Sequence, residues 1–311
     1  MRPFEETPGK KVAQVVSLTL FLVILVGASA LVRYQYKRGK SDRQGAFRLA
    51  TLVFLVQMAI WLCYEHFVPD LEVLGQFVIA VSTALFMSAL SWILYMALEP
   101  YVRKLWPQTI ISWARLVNGR IRDPLVARDT MFGVMLGLIW VVLYEIRLSL
   151  GITRLGTAPQ LLSTDYLLGV RSTLGALVVQ LPGGIQGTLF FFAVLIGLRY
   201  LLRNRWAAAA GFVAIFTALN TLGSHHPGIE VPIEILIYAI AAFALVRFGL
   251  VTLMVAVMVA NTMLNVPATL DFSRWYAPAA MSLPIGILAL AVWSFYTALG
   301  AHKLIKGEML E

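Results

Sequence analysis

Apolar residues fall in nine long runs, near 12–32, 50–68, 74–97, 131–149, 184–202, 206–223, 233–247, 248–265 and 277–298. A helix rises about 1.5 Å per residue and the hydrocarbon layer is roughly 30 Å thick, so about 20 mainly apolar residues make one crossing. The runs meet or approach that length. The seventh and eighth are divided only by Arg247, Phe248 and Gly249, so eight crossings also fit. Residues 166–182, from Tyr166 to Pro182, are apolar too, but Arg171 and Gln180 interrupt them and Pro182-Gly183-Gly184 ends them. A surface or re-entrant helix feeding the fifth crossing fits this segment better than a tenth span. The expectation is an all-α fold, a polytopic transmembrane helical bundle of about nine spans that forms a single integral membrane domain over 1–311.

Composition strengthens the same reading. Only 13% of the 311 residues are charged and 59% are apolar, where a soluble chain is about 25% charged. No globular domain of this size hides so much apolar surface from water, so lipid takes the place of water. Cys63 is the single cysteine, which excludes an intrachain disulfide and a cysteine-built zinc site.

The net charge of +9 does not point to nucleic acid, because the 25 Lys and Arg lie between the apolar runs, as topology determinants do. The loop at 33–49 carries Arg33, Lys37, Arg38, Lys40, Arg43 and Arg48. Placing it inside puts Arg103, Lys104, Arg115, Arg120, Arg122, Arg128, Arg199, Arg203, Arg205, Arg247, Lys303 and Lys306 inside as well. Outside remain Arg2, Lys10, Lys11, Arg147, Arg154, Arg171 and Arg274, with 150–183 as an extracytoplasmic segment. The predicted sidedness is N-out, C-in. A rival reading takes Lys10-Lys11, the apolar run behind them and Ala28-Ser29-Ala30 as a cleavable signal, but it would export the basic loop. Trp61, Tyr64, Tyr101, Trp106, Tyr200, Trp206, Trp275 and Tyr276 fall at the run edges, where aromatic rings favour the headgroup zone.

The longest hydrophilic segment, 99–130, is expected to be a cytoplasmic loop holding an amphipathic interfacial helix. Ile110, Ile111, Trp113, Ala114, Leu116 and Val117 interleave with Arg115, Arg120 and Arg122. Pro107 opens the run and Asn118-Gly119 closes it. Such a helix lies apolar side down on the inner leaflet with its cations toward anionic lipids, or docks a soluble partner. Trp113, Arg115, Arg120 and Arg122 are its candidate lipid or partner contacts.

The strings GAFRLA (45–50), ALEPYVRKLWP (97–107), ISWARLVNGRIRDPLVARD (111–129), VRFGL (246–250) and TLDFSRWYA (269–277) resemble the polytopic membrane region at the C-terminal end of acidobacterial-type Ser/Thr protein kinases. The resemblance covers most of the chain from about residue 33 onward. It implies a multi-pass protein of a bacterial inner membrane, reached from outside at its first helix. It does not imply phosphoryl transfer here. The Gly-rich loop over the phosphates, the phosphate-pairing lysine, the HRD-type loop and the DFG metal ligand are all missing from these residues.

Ionisable residues inside or beside a span are functional candidates because they are costly there. Glu65 and His66 end the second run, Glu145 and Arg147 the fourth, and His225, His226 and Glu230 follow the sixth. Asp271 and Arg274 follow the eighth. In one bundle these groups would ring an outer polar cavity, read as solvated rim charges, as a pocket for a small ligand or proton, or as a metal site on His225, His226 and Glu230. The last has poor spacing, since adjacent histidines point apart and Pro227 breaks the segment. Glu145 and Arg147 are two apart and cannot face each other on one helix, so each is expected to pair with another span or to snorkel. Asn220, Asn261 and Asn265 read as helix-to-helix hydrogen-bonding groups.

Glu99 and Arg103 share the ExxxR spacing of CAAX-type intramembrane proteases, but Leu98 stands where a second glutamate is needed. No HExxH, GxSxG or Walker A motif occurs, and no cofactor is expected. Three functions remain open: a non-catalytic sensor or anchor domain acting through a soluble or membrane partner or another copy, a permease subunit, and an accessory subunit of a larger membrane complex.

Overall fold

A computed structural model describes residues 7–36, 42–65, 71–156, 168–224, 226–265, 271–274 and 276–300. Arg2, Lys37, Arg38, Lys40, Trp275, Lys303 and Lys306 lie outside the described residues. The helices are α1 (Pro8–Tyr36), α2 (Arg43–Tyr64), α3 (Leu71–Leu105), α4 (Pro107–Val117), α5 (Pro124–Leu155) and α6 (Val170–Val178). They continue with α7 (Gln180–Leu202), α8 (Arg205–Thr221), α9 (Pro227–Arg247), α10 (Leu250–Leu264) and α11 (Ala277–Ala298), and the described residues contain no strand. Seven stretches are long and apolar enough to cross a bilayer: α1, α2, α3, α5, α6 with α7, α9 and α11. The chain is an all-α, multi-pass membrane bundle. The outward face of α1 shows why, since Val15, Leu18, Val23 and Val26 are each at least 59% exposed, a surface that lipid accepts and water does not.

Each of the nine apolar runs becomes a helix. Two are short: α8 has 17 residues and α10 has 15. The shortness of α10 follows from its position. It packs against α5, α7, α9, α4 and α11, and ten of its 15 residues are buried, so protein rather than the bilayer sets its length. Two glycines admit it. A Cβ on Gly133 of α5 would lie 2.7 Å from the Thr252 carbonyl oxygen, and one on Gly137 would lie 2.8 Å from that of Ala256. This Gly-xxx-Gly spacing lets two backbones meet where a larger residue would hold them apart.

The glycine contacts also fix direction. Gly133 meets Thr252 and Val255, and Gly137 meets Ala256 and Val259, so α10 runs parallel to α5. The end of α5 meets the start of α9 through Arg147 and Glu234, whereas Phe132, near the start of α5, stacks on Phe248 beyond the end of α9 at 4.4 Å. Hence α9 runs antiparallel to α5, and α9 and α10 are two helices of opposite direction joined by a turn at Phe248-Gly249. That turn needs glycine: Gly249 has φ of 112°, and a Cβ there would run into the Thr109 backbone. At the equivalent turn between α7 and α8, Arg203 takes the left-handed conformation with φ of 56° and Asn204 caps α8 by accepting from the Trp206 N–H at 2.9 Å.

Other contacts between distant helices set further relative directions. Gln35 Nε2 reaches the Ala97 carbonyl at 3.3 Å, joining the last turn of α1 to the C-terminal third of α3. Thr7, just before α1, donates to Gly223, just after α8, at 3.0 Å.

Three expectations need correction. Pro182-Gly183-Gly184 does not end a helix. Pro182 is the third residue of α7, where no N–H is needed for the ladder, and the interruption between α6 and α7 is the single residue Val179. Gly184 serves packing instead, since a Cβ there would lie 2.7 Å from Met258 Cγ of α10. The second correction is the orientation of α4, which spans the expected residues but turns its apolar side to helix ends, not to lipid. Thr109, Ile110, Ser112 and Trp113 are buried where α4 packs on α3, α5, α10 and α2. Trp113, third, is 1% exposed, its ring covered by the helices on which α4 packs.

Candidate functional site

The face of α9 bearing Glu230, Glu234 and Tyr238, each four apart, packs beside α5 and α8. Tyr144 and Arg147, three apart on α5, turn toward it. Arg147 Nη1 donates to Glu234 Oε1 at 2.7 Å, and the guanidinium lies 4.8 Å from the Tyr144 ring centroid. Glu234 is 1% exposed, two turns into an apolar helix. Its second oxygen, Oε2, is buried without a hydrogen-bond donor among the described residues.

One helical turn further, the Tyr238 hydroxyl accepts from Asn220 Nδ2 of α8 at 2.5 Å. Phe191, Phe212 and Phe216 pack on that ring with centroids 5.4 to 6.4 Å away. The charged pair thus sits at the edge of an aromatic cluster, in surroundings that screen little. A carboxylate held by one arginine, with a free oxygen, is suited to take up a proton or a cation and to release the arginine when it does.

Of the expected outer positions, Arg147 pairs with another span, and Glu145 is exposed on the opposite side of α5. Glu230 and His226 are half-buried near the start of α9. Glu65 belongs elsewhere, on α2: the Gln76 amide nitrogen, turned toward it, donates to both its oxygens at 2.5 and 2.7 Å. Arg171 of α6 donates to the Glu65 carbonyl at 2.6 Å and closes the C-terminal end of α2. The α2 group packs on α3, α4, α6 and α7, while α9 packs on α8, α5, α10 and α4, so two polar groups stand where a single ring was expected. His66 and His225 lie outside the described residues. Among those described, no three His, Cys, Asp or Glu side chains gather as metal ligands.

Glu234 was missed as a candidate. A lone carboxylate inside an apolar run is the signal that finds it. Glu234 is the second residue of the 233–247 run, where a carboxylate reads as part of the edge of a crossing.

Asp271 and Arg274 pair at 2.9 Å on an exposed turn, as solvated rim charges do. The Ser273 hydroxyl and N–H, and then Arg274, hold the Asp271 carboxyl below its usual range. Asn220 joins two helices as expected, whereas Asn265 Nδ2 turns back to the Asn261 carbonyl of its own helix.

At the other end of the bundle, Arg115 donates to both oxygens of Asp123 at 2.8 and 2.9 Å, tying the end of α4 to the cap of α5. Burial works against the Asp123 carboxylate, but bonds from Arg115 and from the Leu125 and Val126 N–H groups outweigh it and keep its pKa below the usual value. Arg115 and Arg120 share an open cavity of about 710 Å³ with Arg48, Arg103 and Asn118. Arg122 is exposed beside it. Compared with protein-family models, curated proteins and solved structures, the chain matches none.

Proposed function

We propose that this chain is a non-catalytic membrane domain, a sensor or anchor that works through protein partners, related to the membrane region of acidobacterial-type Ser/Thr kinases and set in a bacterial inner membrane. It crosses nine times, N-out and C-in. The helix ends that carry Arg103, Arg115, Arg120, Arg199, Arg205 and Arg247 support this sidedness, since cationic loops stay inside. The inner cavity of Arg48, Arg103, Arg115 and Arg120 then meets anionic lipid or a partner's acidic surface.

The Arg147–Glu234 pair carries the reading. It locks α5 to α9 in the outer part of the bundle, and a buried carboxylate with an unsatisfied oxygen is a bistable contact, made or released by one proton or cation. Release frees α9 to shift against α5, and the shift reaches the inner ends, where Asp123 caps α5 and Arg247 ends α9. The permease alternative draws on broken helices, but α7 and α11 run unbroken through Pro182 and Pro284.

The test is reconstitution of the full chain in vesicles with spin labels at the inner ends of α5 and α9. Wild type and Glu234→Gln should give different distance distributions while neither passes protons or small solutes. Solute flux that depends on Glu234 would overturn the sensor reading.

A further inference from the structure

Between α8 and α9 lies a slot of about 710 Å³, separate from the ion pair and from the α4–α5 turn. Its long walls are alanine-rich, with Ala209 on α8 and Ala239 on α9. One end is different in kind. Arg205, the first residue of α8, and Arg247, the last of α9, stand there with Trp106 and Trp206.

Both arginines are exposed, and among the described residues neither has a carboxylate partner. Arg205 lies 5.3 Å from the Trp206 ring centroid, which leaves its N–H edge free to donate. Trp206 is 64% exposed and Phe243, on the slot wall, 51%, so the slot opens sideways to the surroundings of the bundle.

We infer that this slot binds one anionic phospholipid, its phosphate held by Arg205 and Arg247 and an acyl chain laid between α8 and α9 along the alanines. Three features select that occupant. Two unpaired guanidiniums at one end match a phosphate, which arginine grips with two parallel N–H bonds. The remainder is apolar and elongated along the helices, as an acyl chain is. The paired tryptophans mark the level at which headgroup meets hydrocarbon. The slot is also within the volume range of small-molecule sites, about 300–1,000 Å³. Nothing in this argument depends on which side of the membrane the arginines face, so it stands apart from the sensor reading.

Native mass spectrometry of the full chain, released from micelles loaded with phosphatidylglycerol or with phosphatidylcholine of the same tails, tests it. Wild type should retain one phosphatidylglycerol in preference to phosphatidylcholine. Arg205→Gln with Arg247→Gln should lower that retention at least tenfold, a change of about 1.4 kcal/mol or more. Lys10→Gln with Lys11→Gln, at the other end of the bundle, should leave it unchanged. Ala239→Trp, which fills the slot, should abolish it.

Because Ala239→Trp also risks the fold, a second measurement is independent of it. Phosphatidylglycerol with a photoreactive acyl chain should label peptides of α8 and α9 in the wild-type protein, and excess inorganic phosphate should not prevent labelling. Equal retention of the two lipids, retention unchanged in the double arginine variant, or labelling spread evenly over the helices would overturn the proposal. So would a dimer lost in Ala239→Trp without any lipid preference, since a second copy would then fill the slot.

Discussion

Glu234 and Arg147 test whether their pairing stabilises the bundle or holds it ready to change. Breaking a buried pair from one side leaves an uncompensated charge, at about 3–5 kcal/mol, whereas replacing both partners by apolar groups is close to neutral. Arg147 is 30% exposed in its side chain, so the Glu234→Leu loss should fall near the lower end of that range. Arg147→Met should be worse, because it strands the wholly buried partner. The double variant should recover most of either loss, and unfolding in mixed micelles measures all three. Asp123 tests the α4–α5 end of the bundle through pH. Its folded pKa is depressed, so its contribution is complete above the ordinary aspartate value of about 3.9 and disappears as pH falls through the lower folded value. Thermal stability of the wild type should therefore drop below about pH 4 by a step that Asp123→Asn lacks. The sequence made the outer charges legible as candidates, and spacing alone showed that Arg147 must look to another helix. It did not show the partner, because Glu234 and Arg147 are 87 residues apart and only packing brings them together. For Trp113 the sequence misled. The same amphipathic pattern serves a helix on lipid and a helix capping a bundle, and nothing local distinguishes the two surfaces.

At the scale of elements, every apolar run becomes a helix because hydrocarbon leaves the backbone no other way to satisfy its N–H and C=O groups. What the pattern could not say is which neighbours each helix takes. The short α10, central in the bundle, reads in sequence like any other span. The separation of α9 from α10 rests on the positive φ of Gly249, a residue that the sequence marks only as part of a divider between two runs. The same limit explains Pro182-Gly183-Gly184: composition marks a breaker, whereas position within the first helical turn makes it harmless. Glycine position gives a prediction that separates packing from propensity. Gly133→Ala and Gly137→Ala put a methyl against α10 carbonyls and valines at 2.7 to 2.8 Å, so each should cost about 1–3 kcal/mol through forced backbone movement. Gly187→Ala meets nothing within 4 Å and should be neutral or stabilising by up to about 1 kcal/mol, since alanine is the better helix former. Unfolding of the three variants in the same micelles checks the order, and equal losses would remove the close α5–α10 approach as a source of stability.

For the whole molecule, the contacts between helix ends fix relative direction, and charge supplies the sign. Parallel α5 and α10, with α9 running in the opposite sense, require the chain to turn back at Gly249. If Phe248-Gly249 were instead an irregularity within one long crossing, everything after it would change sides. The eight-span and nine-span readings therefore differ at α11. Cys63 is the only native cysteine, so Cys63→Ser gives a background in which one introduced thiol reports one location. Arg154→Cys at the end of α5, Arg120→Cys in the α4–α5 turn and Tyr296→Cys near the end of α11 all replace exposed residues. With a maleimide that does not cross membranes, the nine-pass, N-out arrangement predicts that intact cells label the first only. The second and third should react after permeabilisation. Labelling of the third together with the first would mean that α9 and α10 do not form two passes. Labelling of the second and third without the first would keep the nine passes and invert the whole bundle, with its basic end outside.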